Sequence, residues 1–518
     1  MIEFAQHQKD AISYQQVQPY SLLVMATGTG KTATTLGSEL ANLHAKKLDK
    51  CIFCCTKASI GEVINDYKKF FNFTPKQLNS EKAVEDFFTS YSTVAVTRYE
   101  WLKHLKPEAM RVYADKYKIG MWWDEAQKVK STSTVAYKNA ASLRPSCSAF
   151  HLVTATPIMT SLDDLWSLMT LVDPTVLGSY NDFAKNFYVR RLTPHPKVAR
   201  RRMTCPVCKC KLHFHDGWDI CYNPMCRATQ TPTGFLPFRR EVKCTWELIE
   251  WQNLDKLAEL IRPYMFCFFP EQDIHYISHN FNLSFETDSY YYQIARDTVN
   301  KEDNKKKFAN QEVEPFSVRL IELQYVVDRS FEKRMELYKL ANQLKDKGFI
   351  LYLSLYNTEG KNSTITTLDY IKAVLDKVDG LEYRTYTGAD FDDAKDANKK
   401  WFQEDARGKC LIISQAGGAS LNLQSTNEFV FYNIPWGFGA ISQSLGRVVR
   451  YFSKFKTFNI HFIEANDTVD EYKHKCFLMY SEVVQKLMNN KLLSTAGIVN
   501  FNTEMKAQLR KYLLWRSQ

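Results

Sequence analysis

The 518-residue sequence carries 45% hydrophobic and 24% charged residues, the proportions of an ordinary water-soluble globular chain, and it is long enough for about three domains. No run approaches the roughly 18 consecutive apolar residues of a membrane-spanning helix, which argues against a membrane protein of that kind. A net charge of +11 permits a polyanionic partner without requiring one. Met1 to His7 lack the basic-then-apolar order of a signal peptide, so the thirteen cysteines are expected as thiols or metal ligands in a reducing, cytoplasmic compartment.

The first strong element is the apolar run Leu22-Leu23-Val24 leading into Met25-Ala26-Thr27-Gly28-Thr29-Gly30-Lys31-Thr32, followed by a helix-compatible stretch over residues 34–45. Strand, glycine turn and helix in that order form a phosphate cradle. The glycines let backbone N–H groups converge at a helix N-terminus, Lys31 brings a cation, and Thr32 brings a hydroxyl for Mg²⁺. Met25 stands where the general phosphate-loop pattern has glycine, so only the later Gly-x-Gly-Lys-Thr portion is present. About ninety residues on, a second apolar run, Ile119-Gly120-Met121-Trp122-Trp123, ends in Asp124-Glu125-Ala126-Gln127, the order a RecA-like nucleotide core requires. In such a site Asp124 would hold hydrated Mg²⁺ and Glu125 would orient and deprotonate the attacking water. Cys51, Cys54 and Cys55, like Trp122 and Trp123, are read as buried core rather than as ligands or a stacking platform.

Between the two halves lies Cys205-Pro206-Val207-Cys208-Lys209-Cys210, then Cys221-Tyr222-Asn223-Pro224-Met225-Cys226, the pairs separated by twelve residues. Cys205, Cys208, Cys221 and Cys226 can present four thiolates to a structural Zn²⁺, with Cys210, His213 and His215 as spare donors. Arg190, Arg191, Lys197, Arg200 to Arg202, Arg239 and Arg240 flank the cluster, and a rigid knuckle beside such cations suits a grip on DNA phosphates. Residues 287–344 read as helical. In the second half, Gln443-Ser444-Leu445-Gly446-Arg447-Val448-Val449-Arg450 gives Arg447 and Arg450 the spacing of one helical face, from which both could reach across a cleft to a γ-phosphoryl group.

The ordered series resembles helicase superfamily 2, and within it a compact SNF2-type DNA-dependent ATPase. Phe4 to Tyr14 with Gln8 is similar to the adenine-reading glutamine motif, Cys51 to Phe70 to motif Ia, Val94 to Glu100 to motif Ib, and Leu152-Val153-Thr154-Ala155-Thr156-Pro157 to motif III. The strand Phe349 to Ser354, then Tyr386-Thr387-Gly388 and Trp401-Phe402, resemble landmarks of a second RecA-like domain. Ile412 to Leu423, with Gln415, Gly417, Gly418 and Asn422, resembles the SNF2 form of motif V, and the Gln443 segment resembles motif VI. Tyr451-Phe452-Ser453 replace the residues usual after motif VI, which keeps restriction-type translocases as near relatives.

The resemblance implies an α/β fold of two tandem RecA-like domains with parallel sheets, an inserted zinc-ribbon-like knuckle and a helical protrusion. The expected division is residues 1–175 for the first core, 176–280 for the insertion and closing segment, 281–345 for a helical connector, 346–495 for the second core, and a basic C-terminal helix over 496–518. It implies catalytic roles for Lys31, Asp124, Glu125, Gln443, Arg447 and Arg450. ATP contacts would come from Gln8, Thr27, Gly28, Thr29, Gly30, Lys31, Thr32, Asp124 and Gly418, with Mg²⁺ on Thr32 and Asp124. A nucleic-acid track would use Lys57, Arg98, Ser354 and Gln415. The implied activity is ATP-driven translocation on double-stranded, forked or branched DNA, alongside replication, recombination or transcription proteins, in a viral, phage or bacterial setting. An RNA helicase shares the core, and an ATP-gated clamp without processive motion shares the site.

Overall fold

Uninterrupted apolar runs become strands buried on both faces, which is what a parallel sheet covered by helices requires. The computed structural model describes residues 3–159, 161–194, 204–205, 207–211, 213–215, 218–221, 223, 225–226, 238–239, 244–304, 316–354, 366–414, 423–489 and 498–499. In chain order its strands are β1 (Tyr20–Met25), β2 (Lys50–Cys55), β3 (Lys76–Gln77), β4 (Val94–Arg98), β5 (Ile119–Trp123), β6 (Ala149–Thr154), β7 (Tyr188–Pro194), β8 (His213–His215), β9 (Trp218–Ile220) and β10 (Phe238–Arg239). There follow β11 (Cys244–Trp251), β12 (Met265–Phe268), β13 (Asp273–Phe281), β14 (Phe349–Leu353), β15 (Glu382–Tyr386), β16 (Lys409–Ser414), β17 (Glu428–Phe431), β18 (Thr457–Ala465) and β19 (Ile498–Val499).

Two compact units result. The first comprises Met1–Phe187, Gln252–Thr287 and Gln324–Ile498, and it holds both large sheets. Its first lobe is a seven-stranded sheet in the order β12-β1-β6-β5-β2-β4-β3, with parallel pairing throughout. Its second lobe is a six-stranded parallel sheet in the order β13-β18-β17-β14-β16-β15. Leu22 to Met25, Cys51 to Cys55, and Trp122 and Trp123 are fully buried, as core side chains. Around β14, β16 and β17 a second core gathers Ile350, Tyr352, Leu411, Ile413, Phe429 and Phe431.

The order of the first sheet decides where chemistry can occur. β1, β6 and β5 are neighbours, so the phosphate loop, Thr154 and Asp124 all emerge at the carboxyl ends of adjacent parallel strands, where open α/β sheets bind ligands. In the second sheet β17, β14 and β16 are neighbours, which gathers Asn433, Ser354 and Ser414 at one edge.

The second unit, built around Tyr188–Trp251 and Asp288–Leu323, carries a three-stranded sheet ordered β10-β9-β8 and another ordered β19-β11-β7. The stretch expected as a helical connector contains the helices Phe285–Asn304, Phe316–Asp328 and Phe331–Leu344. Among the described residues no helix is long and apolar enough to cross a membrane.

One boundary differs from expectation, and one expected element lies largely outside the described residues. The passage between lobes falls between β12 and β13, over residues 269–272, earlier than residue 280, because β13 already pairs in parallel with β18 of the second sheet. The expected C-terminal helix over 496–518 lies outside the described residues except at Ile498–Val499, which form a strand.

Candidate nucleotide site

Gly28 and Gly30 both adopt left-handed backbone, with φ of 73° and 80°, conformations that cost little only without a Cβ. The turn they make feeds the helix Lys31–His44 and aims its free N–H groups outward. Thr29 Oγ1 donates to the Ala26 carbonyl at 2.7 Å, and Lys31 Nζ donates to the carbonyls of Met25 and Ala26, both at 3.3 Å. Among the described residues the Thr32 hydroxyl makes no hydrogen bond, leaving it available to a cation.

Gln8, expected to read adenine, lies against the loop: its Oε1 accepts the Ala5 N–H at 2.9 Å, and its Nε2 donates to the Thr29 and Gly30 carbonyls at 3.3 and 3.4 Å. His7, which sequence reasoning passed over, reaches the Thr29 carbonyl at 3.0 Å and stacks on Phe268 with ring centroids 4.0 Å apart. Tyr451 packs edge-on to both rings, which gives the unusual residue after motif VI a place beside the phosphate loop.

Asp124 and Glu125 follow β5 directly. Burial, with the neighbouring Glu125 charge, pushes the Asp124 carboxyl up to about 7 against the pull of Lys31. Burial lowers Lys31, while Glu125 and Asp124 raise it and Arg450 lowers it further. A carboxylate pair held this short of positive charge suits Mg²⁺, and Thr32 with Asp124 are the residues that would hold it. Glu125 sits at φ 52°, a conformation rare for a residue with a Cβ, so its backbone is strained at the point where chemistry is expected. The Tyr99 hydroxyl, from the segment matched to motif Ib, donates to the Asp124 carbonyl at 2.7 Å and fixes this turn from behind.

A chain of hydrogen bonds leaves Glu125 toward the second lobe. Gln127 Nε2 donates to Glu125 Oε2, Thr154 Oγ1 donates to Gln127 Oε1 at 2.7 Å, and the Thr156 N–H donates to Thr154 Oγ1 at 3.0 Å. Gln443 Nε2 then donates to Thr156 Oγ1 at 3.5 Å. Motif III thus stands between the carboxylate and motif VI.

The two arginines do not share a helical face. The helix Phe438–Leu445 stops at Gly446, and residues 446–448 form a turn, so the spacing of Arg447 and Arg450 is not read on a helix. Arg450 lies on the phosphate loop: a Cβ placed on Gly28 would come within 2.6 Å of its Cβ and Cγ. Arg447 is buried within the second lobe, its Nη1 3.4 Å from the Ser414 carbonyl. Only one of the pair reaches the phosphate site in this conformation.

Of the expected nucleic-acid residues, Lys57 is exposed on the turn after β2, and Arg98 ends the neighbouring strand β4. Arg98 is engaged, its guanidinium 4.0 Å from the Trp101 ring and 3.7 Å from Glu100. Ser354 donates its N–H to Asn433 Oδ1 at 2.6 Å. Gln415 and Gly418 lie outside the described residues, as do Lys197, Arg200 to Arg202, Arg240 and the segment Gln415 to Asn422.

In the second unit the Sγ atoms of Cys205, Cys208, Cys221 and Cys226 all lie within 4.8 Å of one another. Cys205 N–H donates to the Cys210 carbonyl at 2.8 Å, and Lys209, at φ 61°, returns its N–H to the Cys205 carbonyl at 2.9 Å, which closes the first pair into a knuckle turn. The Cys210 backbone N–H draws the Cys208 thiol down to about 6. Cys210 is exposed and outside the set of four; His213 and His215 fall on β8, where only the backbone course is described.

Residues 13–211 match the SNF2-related domain, and residues 333–452 match the helicase conserved C-terminal domain. An uncharacterized ATP-dependent helicase of Bacillus subtilis, YqhH, is 24% identical over 370 residues, covering 70% of this chain and 58% of that protein. The Saccharomyces cerevisiae DNA repair and recombination protein RAD54 is 22% identical over 467 residues, 82% of this chain and 47% of its own. The chain therefore spans less than two thirds of the length of these relatives. Among solved structures, the Sulfolobus solfataricus SWI2/SNF2 ATPase core in complex with dsDNA aligns over 95% of this chain and 94% of that one, at 17% identity and a TM-score of 0.37. With an SNF2-related domain and a helicase C-terminal domain in succession over more than half its length, on two parallel α/β lobes, the chain belongs to the SNF2-related ATPases.

Proposed function

We propose that this chain is a DNA-stimulated ATPase whose two lobes close on ATP and part on hydrolysis, so that one lobe advances along double-stranded, forked or branched DNA. The observation that carries the reading is Arg450 of the second lobe packed directly on Gly28 of the phosphate loop, with the Glu125 to Gln443 hydrogen-bond chain beside it. An arginine delivered across a lobe interface makes hydrolysis conditional on closure. The name of RAD54, a DNA repair and recombination protein, supports DNA as the polymer.

In this reading the loop N–H groups and Lys31 hold the phosphates, Glu125 accepts the proton of the attacking water, and Arg450 meets charge on the γ-phosphoryl oxygens as the bond to ADP breaks. Mg²⁺, when bound by Thr32 and Asp124, would neutralise the phosphate oxygens. Arg447 would have to turn out of the second lobe to join Arg450. Lys57, Arg98 and Ser354 sit where a polymer could track the carboxyl edges of both sheets. The four cysteines of the second unit take Zn²⁺ as a structural staple, the cluster that Cys205, Cys221 and Cys226 form with Cys208 among the described residues.

Steady-state ATP hydrolysis with no polymer, single-stranded DNA, duplex DNA, forked DNA and RNA tests this, with Glu125→Gln as the blank. Stimulation by duplex or forked DNA is expected. Stimulation by RNA alone would make the chain an RNA helicase, and no stimulation by any polymer would leave an ATP-gated clamp.

A further inference from the structure

The helix Phe438–Leu445 begins badly by its own means. Its N-cap is Gly437, which has no side chain to accept from the first free N–H groups. The missing acceptor comes from the other lobe: the Gly439 N–H donates to the Met159 carbonyl at 3.2 Å. One turn further on, Gln443 Nε2 lies 3.8 Å from Met159 Sδ and 3.5 Å from Thr156 Oγ1.

Both partners are shaped for this contact. A Cβ on Gly439 would lie 2.0 Å from Met159 Sδ and 2.5 Å from its Cε, so the methionine fills the space that a side chain would take. At Gly446 a Cβ would lie 1.8 Å from Thr27 Oγ1. Met159 with Gly439, Thr156 with Gln443, Thr27 with Gly446, and Gly28 with Arg450 therefore meet in succession along one seam. On the first-lobe side the Met159 N–H is held by Asp164 Oδ2 at 2.9 Å, and Asp164 is itself paired with Lys130 at 3.4 Å. These contacts, which lie wholly within the first lobe, hold Met159 from behind.

We propose that Met159 and Gly439 are positioning residues that register the two lobes: Met159 caps the motif VI helix across the interface and seats in the glycine socket, and this seating sets where Arg450 lands. The proposal rests on the ATPase reading above for its kinetic consequence, but not for the closure it describes. Neither residue touches the phosphate site. A side chain at residue 439 would push the Met159 side chain out of its seat and crowd the Met159 Cα at 3.1 Å, so the seam loses its register, and a displacement of about 1 Å at a catalytic group can cost 10²-fold in rate.

The test is Gly439→Ala in the full chain, alone and with Met159→Ala. Alanine is the better helix former, so the melting temperature is expected to hold or rise, which separates seam disruption from misfolding. Expected for Gly439→Ala are a fall in kcat of about 10- to 100-fold, unchanged affinity for a fluorescent ATP analogue, and loss of the compaction that ADP–beryllium fluoride causes in X-ray scattering of the wild type. The second substitution removes the sulfur that the new methyl meets and should return most of both. Wild-type kcat and compaction in Gly439→Ala would overturn the proposal, as would a double variant no better than the single one. A wild type that hydrolyses no ATP yet compacts, with compaction lost in Gly439→Ala, would leave the seam standing and remove the ATPase reading instead. A wild type that neither hydrolyses nor compacts would remove both.

Discussion

Thr154 Oγ1 donates to Gln127 Oε1 at 2.7 Å, and this bond decides which end of the Gln127 amide faces Glu125. With the oxygen occupied, the nitrogen is left to donate to the carboxylate, which holds Glu125 as an acceptor for the water proton. Thr154→Val keeps the shape and removes the hydroxyl, so the amide is free to turn. A hydrogen bond to a charged group contributes about 1.5–3 kcal/mol, so kcat should fall about 10- to 100-fold with little change in ATP affinity. Single-turnover and steady-state kinetics on the same preparation check this, and an unchanged kcat would show that Glu125 needs no help from motif III.

The second lobe has a buried charge cluster that the sequence did not announce. Lys333 Nζ pairs with Asp328 at 3.1 Å and with Asp470, while Gln324 Nε2 donates to both carboxylates at 2.7 and 2.8 Å. Asn433 Nδ2 donates to Asp328 at 2.7 Å, and the same side chain accepts the Ser354 N–H, so the cluster anchors the end of β14 at Ser354. Burial alone would lower Lys333, but the two carboxylates outweigh it and raise it. Lys333→Met should cost about 3–5 kcal/mol, because it leaves Lys473, whose ammonium is bonded to Gln324, as the remaining buried lysine of the cluster for two buried carboxylates. Adding Asp470→Asn should recover part of the loss, as measured by denaturant unfolding; no recovery would mean that packing, not charge, is what Lys333 supplies.

How much of this was legible follows from how local each signal is. The phosphate loop and Asp124-Glu125 could be read because a turn with glycine at set positions and an acid pair at a strand end are short-range requirements. Tyr99 and His7 stood inside segments already singled out, yet nothing in a run of residues says that a phenol meets a carbonyl on another strand. The Met159 to Gly439 contact joins positions far apart in the chain and leaves no periodic trace. The shared helical face expected for Arg447 and Arg450 fails at a residue visible in the sequence: Gly446 precedes both, and a helix that stops there cannot keep the two arginines on one face. The early lobe boundary was hidden because β13 is half exposed, with the alternation of an edge strand, and does not advertise a new sheet.

Cys208→Ser with Cys221→Ser should lower bound zinc from one equivalent per chain to none in elemental analysis of protein prepared without chelator. Four thiolates brought within bonding reach of one ion bind it tightly, and among the described residues the cluster at the knuckle consists of these cysteines alone. Cys210→Ser is the control, since that thiol stands outside the cluster and should keep the metal. Wild-type protein without zinc, or full zinc in the double variant, would remove the metal from the second unit.

Glu39 offers a test of the first lobe that is independent of nucleotide. It lies on the helix after the phosphate loop, fully buried, with Oε2 accepting the Tyr67 hydroxyl and Oε1 without a partner. Burial raises its carboxyl from 4.5 to about 8, with the Tyr67 bond opposing. The folded state therefore keeps a proton that the unfolded chain gives up. Its contribution to stability is fully present below about pH 4.5 and is lost progressively as the pH rises to about 8, at a slope of about 1.4 kcal/mol per pH unit at most. Glu39→Gln retains an oxygen for Tyr67 and carries no charge at any pH. Relative to wild type, the variant should melt at a similar or lower temperature at pH 5 and at a higher one at pH 8.5, a relative gain on the order of a few kcal/mol. Thermal melting of both proteins across that range reads the difference directly, with the variant's trace subtracting every other titrating group. A constant offset between the two curves would mean that Glu39 ionises normally in the fold, and that water or a neighbouring polar group reaches its second oxygen.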